Sequence, residues 1–275
     1  MLPPRCHHLT LSLWGTFIVL LSAGNGLSPA EEPTSSIRFE DATQSSHLLF
    51  EHHNGSTGQR YLIEMIGSGL ACFDADNDGW LDLYFPNGSA LPVRPASLPP
   101  SDSLFRNLQS RQFLEVAQVA GCTDSQFGLG AIAGDFDNDG FQDLYISNFG
   151  PNRLLRNNGD GTFSDFTELA NVADGSKLSA GATFVDIDHD GDLDLFSANY
   201  LEFSFEHHAH LAPAAFPYSP GPRDFPPATD SLFLNQGDGT FSNISQSSGV
   251  ASVAGPSMGI VAGDFDGDRD DDIFV

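Results

Sequence analysis

Four stretches of the chain repeat one nine-residue pattern of carboxylates, Asp-x-Asp-x-Asp-Gly-x-x-Asp. They hold Asp74, Asp76, Asp78 and Asp82; Asp135, Asp137, Asp139 and Asp143; Asp186, Asp188, Asp190 and Asp194; and Asp264, Asp266, Asp268 and Asp272, the last with Arg269 at the glycine position. Four anionic side chains must then share a short loop. Two like charges 4 Å apart cost about 1 kcal/mol in water and about 4 kcal/mol at an effective dielectric of 20. A hard cation relieves this repulsion. Ca2+, which accepts six to eight oxygen ligands in a flexible shell at roughly 2.3–2.6 Å, suits such a loop better than Mg2+ with its strict octahedron. Gly79, Gly140 and Gly191 at position six allow the chain to turn sharply round an ion. The backbone carbonyl of position seven, at Trp80, Phe141, Asp192 and Asp270, is expected to be a fifth donor.

An EF-hand loop would need a bidentate glutamate at position twelve. Here that position holds Phe85, Ile146, Ser197 or Val275, so the ninth-position aspartate is expected to close the site. The segments that follow, Leu83-Tyr84-Phe85, Leu144-Tyr145-Ile146 and Leu195-Phe196, read as strands.

The repeat extends beyond the loop. Five residues before each one stands a glycine, Gly69, Gly130, Gly181 or Gly259, followed by short apolar segments such as Ala131-Ile132-Ala133. These read as inner strands with a close backbone approach. A second module appears as Asn157 to Phe163 and Asn235 to Phe241, with a degenerate copy from Asn107 to Phe113. Its Asp-Gly pair reads as a tight hairpin turn. From that asparagine to the next loop the spacing is 28 residues for Asn107 and 29 for Asn157 and Asn235, so the Pro-rich insertions at 91–101 and 200–229 fall on the other side of the loop. The unit is therefore about four strands, returning every ~50 residues, which is the size of a β-propeller blade; the turns of a linear β-solenoid are much shorter.

Composition agrees with an all-β chain. Of 275 residues, 28 are Gly, 17 Pro and 23 Phe, against 3 Met. The net charge of −26, about half of whose acidic residues lie in the four loops, excludes nonspecific nucleic-acid binding, which needs a basic face. Residues 1–26 carry one Arg, an apolar run from Leu9 to Leu21 too short to span a bilayer, and then small residues, the pattern of a secretory signal peptide. Residues 27–36 read as a linker, and no later stretch is apolar enough to cross a membrane. Secretion, or export to a periplasm, would also supply Ca2+. Cys72 and Cys122 would then meet an oxidising compartment and could pair, although Cys72 occupies the place of Ala133, Phe184 and Ala262, where a small buried hydrophobe suffices.

Other patterns carry less. Gly128-Leu129-Gly130-Ala131-Ile132-Ala133 matches a dinucleotide fingerprint, but the ion loop begins where a helix should. His207, His208 and His210 could meet a transition metal, yet as part of a Pro-rich insertion they read as a solvated loop. Asn-x-Ser sequons stand at Asn54, Asn87 and Asn243.

The segment from Phe127-Gly128 through Asp143-Leu144-Tyr145 resembles the FG-GAP (VCBS) repeat of integrin-α-like propellers. The segments Phe50 to Gly55, Glu64 to Gly69, Pro220-Gly221-Pro222 and Asp230 to Asn235 resemble more narrowly the secreted cartilage acidic protein/UnbV (ASPIC) family. The resemblance covers residues 37–275. It implies a seven-bladed Ca2+-binding propeller followed by a small C-terminal domain, with partners docking on the face away from the Ca2+ loops, hence at the two insertions.

The expectation is a secreted, Ca2+-binding β-propeller that serves as an interaction module for an extracellular protein or polysaccharide. The alternative is an extracellular polymer-degrading lyase or hydrolase built on a propeller, marked by His, Tyr, Arg or carboxylates converging at one mouth outside the loops. Because Phe39 aligns with Phe163 in mid-unit and Val275 falls in the strand after the fourth loop, the chain is expected to be the N-terminal part of a longer propeller. Arg269 must take positive φ or change its turn, which makes the fourth loop the weakest site.

Overall fold

The computed structural model describes residues 38–67, 69–92, 101–211 and 220–275, with only the backbone of His210 and Leu211, and its compact unit runs from Asp41 to Val275. The leader and linker expected over 1–36, and parts of both insertions, lie outside the described residues.

Antiparallel strands follow one another in sets of four. The first blade holds β1 (Ala71–Phe73), β2 (Asp82–Phe85), β3 (Ser103–Asn107) and β4 (Phe113–Glu115), paired in that order. The second repeats it with β5 (Phe127–Gly134), β6 (Asp143–Gly150), β7 (Arg153–Asn157) and β8 (Phe163–Asp165). A third comprises β9 (Lys177–Val185) and β10 (Asp194–Asn199), a two-residue β11 (Ala228–Thr229) in the insertion, then β12 (Ser231–Asn235) and β13 (Phe241–Asn243). After β14 (Ala254–Gly255), which pairs with β11, come β15 (Val261–Gly263) and β16 (Asp272–Phe274), the first two strands of a fourth blade. An aspartate loop joins the first and second strand of each blade, and the asparagine module joins the third and fourth, as the repeat predicts.

Blades pack face to face, which explains why the second strands are apolar on both sides. Leu144 and Ile146 join Tyr84, Leu104 and Phe73 between the first two blades, while Tyr145, one residue out of phase, packs with Leu195, Phe233 and Phe241 between the second and third. Phe196, Ala198 and Leu232 cover the third blade toward Ile260 and Ile273. The inner strands approach closely where glycine was expected: a Cβ on Gly69 would stand 3.1 Å from the Gly130 Cα, and one on Gly130 would stand 2.6 Å from the Ser147 hydroxyl and 3.5 Å from the Gly181 Cα. Gly259 has no such neighbour within 4 Å.

Three expectations need correcting. The asparagine module is not a two-residue turn. Five residues separate β7 from β8, Gly159 and Gly161 take the positive φ (76° and 80°), and the Asp160 carboxylate between them accepts the Thr162 amide. Cys72 and Cys122 are unpaired; Cys122 is buried, and Cys72 is exposed because in β1 it is Ala71 and Phe73 that point into the core. His207 and His208 lie not in a solvated loop but on α3 (Phe205–Leu211), after the four-residue helices α1 (Ala117–Ala120) and α2 (Thr167–Ala170). His208 is 3% exposed and its ring meets Tyr61 and the Gln59 carbonyl, whereas His207 faces the Asp224 carbonyl. The Asn87 sequon is closed to glycosylation in the fold, since its side chain is buried and bonded to His53, Gly88 and Glu51.

Candidate metal centre

Each aspartate loop is shaped by its own backbone amides. At position one, Asp74 accepts the N–H groups of Asp78 and Gly79, and Asp135 those of Asp139 and Gly140. At position five, Asp78, Asp139, Asp190 and Asp268 each accept the amide of position seven. Position six is left-handed throughout, with φ of 87°, 90° and 94° at Gly79, Gly140 and Gly191, and Arg269 adopts 81° in the same turn. Position four is left-handed too, at Asn77, Asn138, His189 and Gly267, a second demand that explains why asparagine recurs there. In the fourth loop the glycine has in effect moved from position six to position four.

Position nine ties the loop to its blade. The Asp143 carboxylate accepts the Asn157 amide (2.8 Å) and the Phe136 amide (3.1 Å). Asp82 does the same with Asn107 and Ala75, and Asp194 with Asn235 and Ile187. Burial pushes Asp82 up to about 6 and Asp143 up to about 7, and raises Asp194, against the opposing pull of those amides.

Carboxylate oxygens converge in every loop to within 4.8 Å of one another. The groups are Asp74, Asp76 and Asp78; Asp135, Asp137 and Asp143; Asp186, Asp188 and Asp194; and Asp264, Asp266 and Asp272. Of the sixteen side chains expected to ligate, Asp82, Asp139, Asp190 and Asp268 stand outside these groups. One oxygen in each of three loops, Asp76 Oδ1, Asp137 Oδ1 and Asp186 Oδ1, is buried and accepts no hydrogen bond among the described residues. An acceptor withdrawn from water without a donor costs of order 1–3 kcal/mol, and a hard cation is the group that would satisfy all three. The residues therefore fit Ca2+.

Three sets of contributors were not anticipated. Arg156 pairs with Asp137 and Asp139, and Arg106 stands 3.8 Å from Asp76, while Leu234 holds the corresponding place in the third blade. These cations precede the module asparagine by one residue, a regularity visible in the chain. The module asparagines themselves reach back one blade: the Asn157 side-chain amide donates to the Ala75 carbonyl, and that of Asn235 to the Phe136 carbonyl. Finally Asn87, Asn148 and Asn199, each five residues after the ninth-position aspartate, are buried at the opposite ends of their strands, where their amides donate to Asp102, Asn152 and Asp230.

At that opposite end the two insertions meet. Pro92 from the first, and Phe203, Ser204 and Phe205 from the second, line a cleft of about 510 Å³ together with Phe149 and Gln126. A second, polar cleft of about 740 Å³ holds Asp124, Arg153 and Asp165, but its arginine is engaged by both carboxylates and by the Thr123 carbonyl.

These blades and loops define an FG-GAP-type β-propeller, and residues 74–146, 135–197 and 221–275 match the FG-GAP-like repeat. The chain belongs to that repeat family. Among curated proteins it is similar to cartilage acidic protein 1 of Xenopus tropicalis, at 31% identity over 49% of this chain and 21% of that protein. The Homo sapiens protein of the same name is 27% identical over 66% of this chain and 28% of its own. These relatives carry the narrower resemblance to the ASPIC/UnbV family, and the chain spans less than a third of their length. A solved Agrocybe aegerita lectin that recognises non-reducing terminal N-acetylglucosamine superposes with a TM-score of 0.40 at 16% identity, over 74% of this chain and 45% of the lectin. No helix among the described residues is long and apolar enough to cross a membrane.

Proposed function

We propose that the chain is a secreted Ca2+-binding propeller in which each aspartate loop holds one structural ion. Residues 1–26 act as the leader, 27–36 as a linker and 37–275 as propeller blades. The observation that carries the reading is the set of buried, unpartnered oxygens on Asp76, Asp137 and Asp186, each within a convergent carboxylate group. The side chains at positions one, three, five and nine would hold the ion, with the carbonyls of Trp80, Phe141, Asp192 and Asp270. The position-five and position-nine side chains that stand outside the groups have room to share an oxygen, since a carboxylate oxygen serves both an amide and a cation. Bound Ca2+ supplies charge neutralisation, and this chain's residues supply the turn, the amide donors that orient each carboxylate, and the tie to the next strand. Calorimetric titration with Ca2+ is expected to give about four sites; no heat of binding in the folded chain would overturn the reading.

The role we assign is an interaction module, not an enzyme. Asp124 and Asp165 of the polar cleft are committed to Arg153, whereas the aromatic cleft lined by Pro92 and Phe203 to Phe205 lies at the end of the blades away from the aspartate loops. An extracellular protein or polysaccharide would dock there. Retention on immobilised matrix proteins and glycans is expected to fall with Phe205→Ala and to survive Asp76→Ala while the fold persists. The reverse order would contradict the docking face.

A further inference from the structure

Neighbouring aspartate loops are joined to each other directly. In the first loop the Asn77 side-chain amide donates to the carbonyl of Gly140, position six of the second loop (3.1 Å). In the second, Asn138 donates to the carbonyl of Gly191 (3.2 Å) and to the Asp192 carboxylate (2.7 Å), positions six and seven of the third. In the third, His189 lies 3.6 Å from Asp270, position seven of the fourth. Position four thus reaches position six or seven of the following loop three times over, with bonds spanning 63 and 53 residues of sequence in the two asparagine cases.

The geometry makes this contact more than a surface bond. Asn77 is held left-handed between Asp76 and Asp78, and its side chain is fixed only if the Gly140 peptide stays put. That peptide in turn is the one whose N–H, from Phe141, seats on Asp139, position five of the second loop (3.0 Å). An ion that orders the second loop would therefore also order the segment between two ligands of the first. Ordering shared between two sites is a coupling between them, and it is reciprocal.

We propose that Asn77 and Asn138 are positioning residues that make adjacent loops fill cooperatively. The proposal rests on the reading of the loops as ion sites. Trp80, at position seven of the first loop and 46% exposed, provides a local reporter: Tb3+ bound in that loop is sensitised by the indole, so its luminescence reads chiefly the first site. Asparagine 77 can be removed without backbone strain as Asn77→Gly, since glycine already serves at position four in Gly267.

The experiment is a double-mutant cycle on the Trp80-sensitised Tb3+ midpoint. Disabling the second loop with Asp137→Ala is expected to raise that midpoint about fivefold or more in the parent, the lower end of ordinary coupling. In the Asn77→Gly background the same change is expected to leave the midpoint where it was. Asp137→Asn, a milder change, repeats the cycle should the alanine variant fail to fold. Equal shifts in both backgrounds, or no shift in either, overturn the coupling while leaving the ion sites standing. Absence of a Trp80-sensitised signal in every folded variant overturns the ion reading, and the coupling with it.

Discussion

The side-chain amide of Asn157 donates to the carbonyl of Ala75, 82 residues away in the loop of the preceding blade, at 2.9 Å. It also donates to the Gln142 carbonyl of its own loop, while its backbone N–H seats on Asp143. One buried asparagine thus ties a hairpin to two successive aspartate loops, which explains why this residue keeps its place in the repeat. Asn157→Ala is expected to leave two carbonyls without their donors and to destabilise the fold by about 2–3 kcal/mol. Asn107, half-buried and bonded to the exposed Leu81 carbonyl, is expected to cost about 1 kcal/mol on the same change. Denaturant melts of the two variants check the order, and an Asn107 variant as unstable as that of Asn157 would contradict it.

Cations beside the loops should tune them. Arg156 takes one oxygen each of Asp137 and Asp139, and would repel an ion held between them. Arg156→Leu, which copies Leu234 of the third blade, is expected to tighten Ca2+ binding at the second loop a few-fold, and Leu234→Arg to weaken it at the third. The gain should shrink at high salt, because the guanidinium is 40% exposed and screened. Site-resolved titration of the two variants reads both signs.

The fourth loop is expected to bind most weakly. Arg269 occupies a φ of 81°, at a cost of order 1 kcal/mol, and Asp264, Asp266 and Asp272 are all exposed. Calorimetric titration should lose less binding energy in Asp266→Ala than in Asp137→Ala; the opposite order would sink the ranking.

Asp102 gives the fold a pH slope of its own. It is buried, and burial and the nearby Asp124 push its carboxyl up to about 8 despite bonds from Tyr84 and the Asn87 amide. The folded chain then keeps a proton that the unfolded chain releases above about 4, so this contribution to stability is complete at low pH and is lost as pH rises through about 8. The second blade carries the alternative: Asn152 accepts the Asn148 amide and donates to Tyr145. Asp102→Asn is accordingly expected to fold and to remove its share of the slope between pH 5 and pH 8, measured with a chelator present. An unchanged slope would contradict the assignment.

Local rules made most of this architecture legible. The aspartate spacing, the glycines before each loop and the apolar runs after it predict the strands because each depends on near neighbours in sequence. Interblade ties were not legible, because the partners of Asn157, Asn235 and Asn138 lie in another repeat and an asparagine in a loop reads equally well as a turn residue. Helices α1 and α2 are four residues long, too short for helical periodicity to register, and end on left-handed Gly121 and Asn171. The exposure of Cys72 depends on what packs against the first blade. Its counterparts Ala133 and Phe184 pack against core shared with the preceding blade, and no blade precedes Cys72 among the described residues.

The most direct test of the account is thermal unfolding in saturating Ca2+ and in chelator. One site held at a hundredfold its dissociation constant adds about 2.7 kcal/mol, and at roughly 2–4 °C per kcal/mol for a domain of this size the melting temperature is expected to rise by at least about 5 °C. The rise should vanish when Asp76, Asp137, Asp188 and Asp266 are all replaced by alanine. A melting temperature that is the same in Ca2+ and in chelator, or a rise that survives those four changes, would contradict the claim that the aspartate loops are calcium sites.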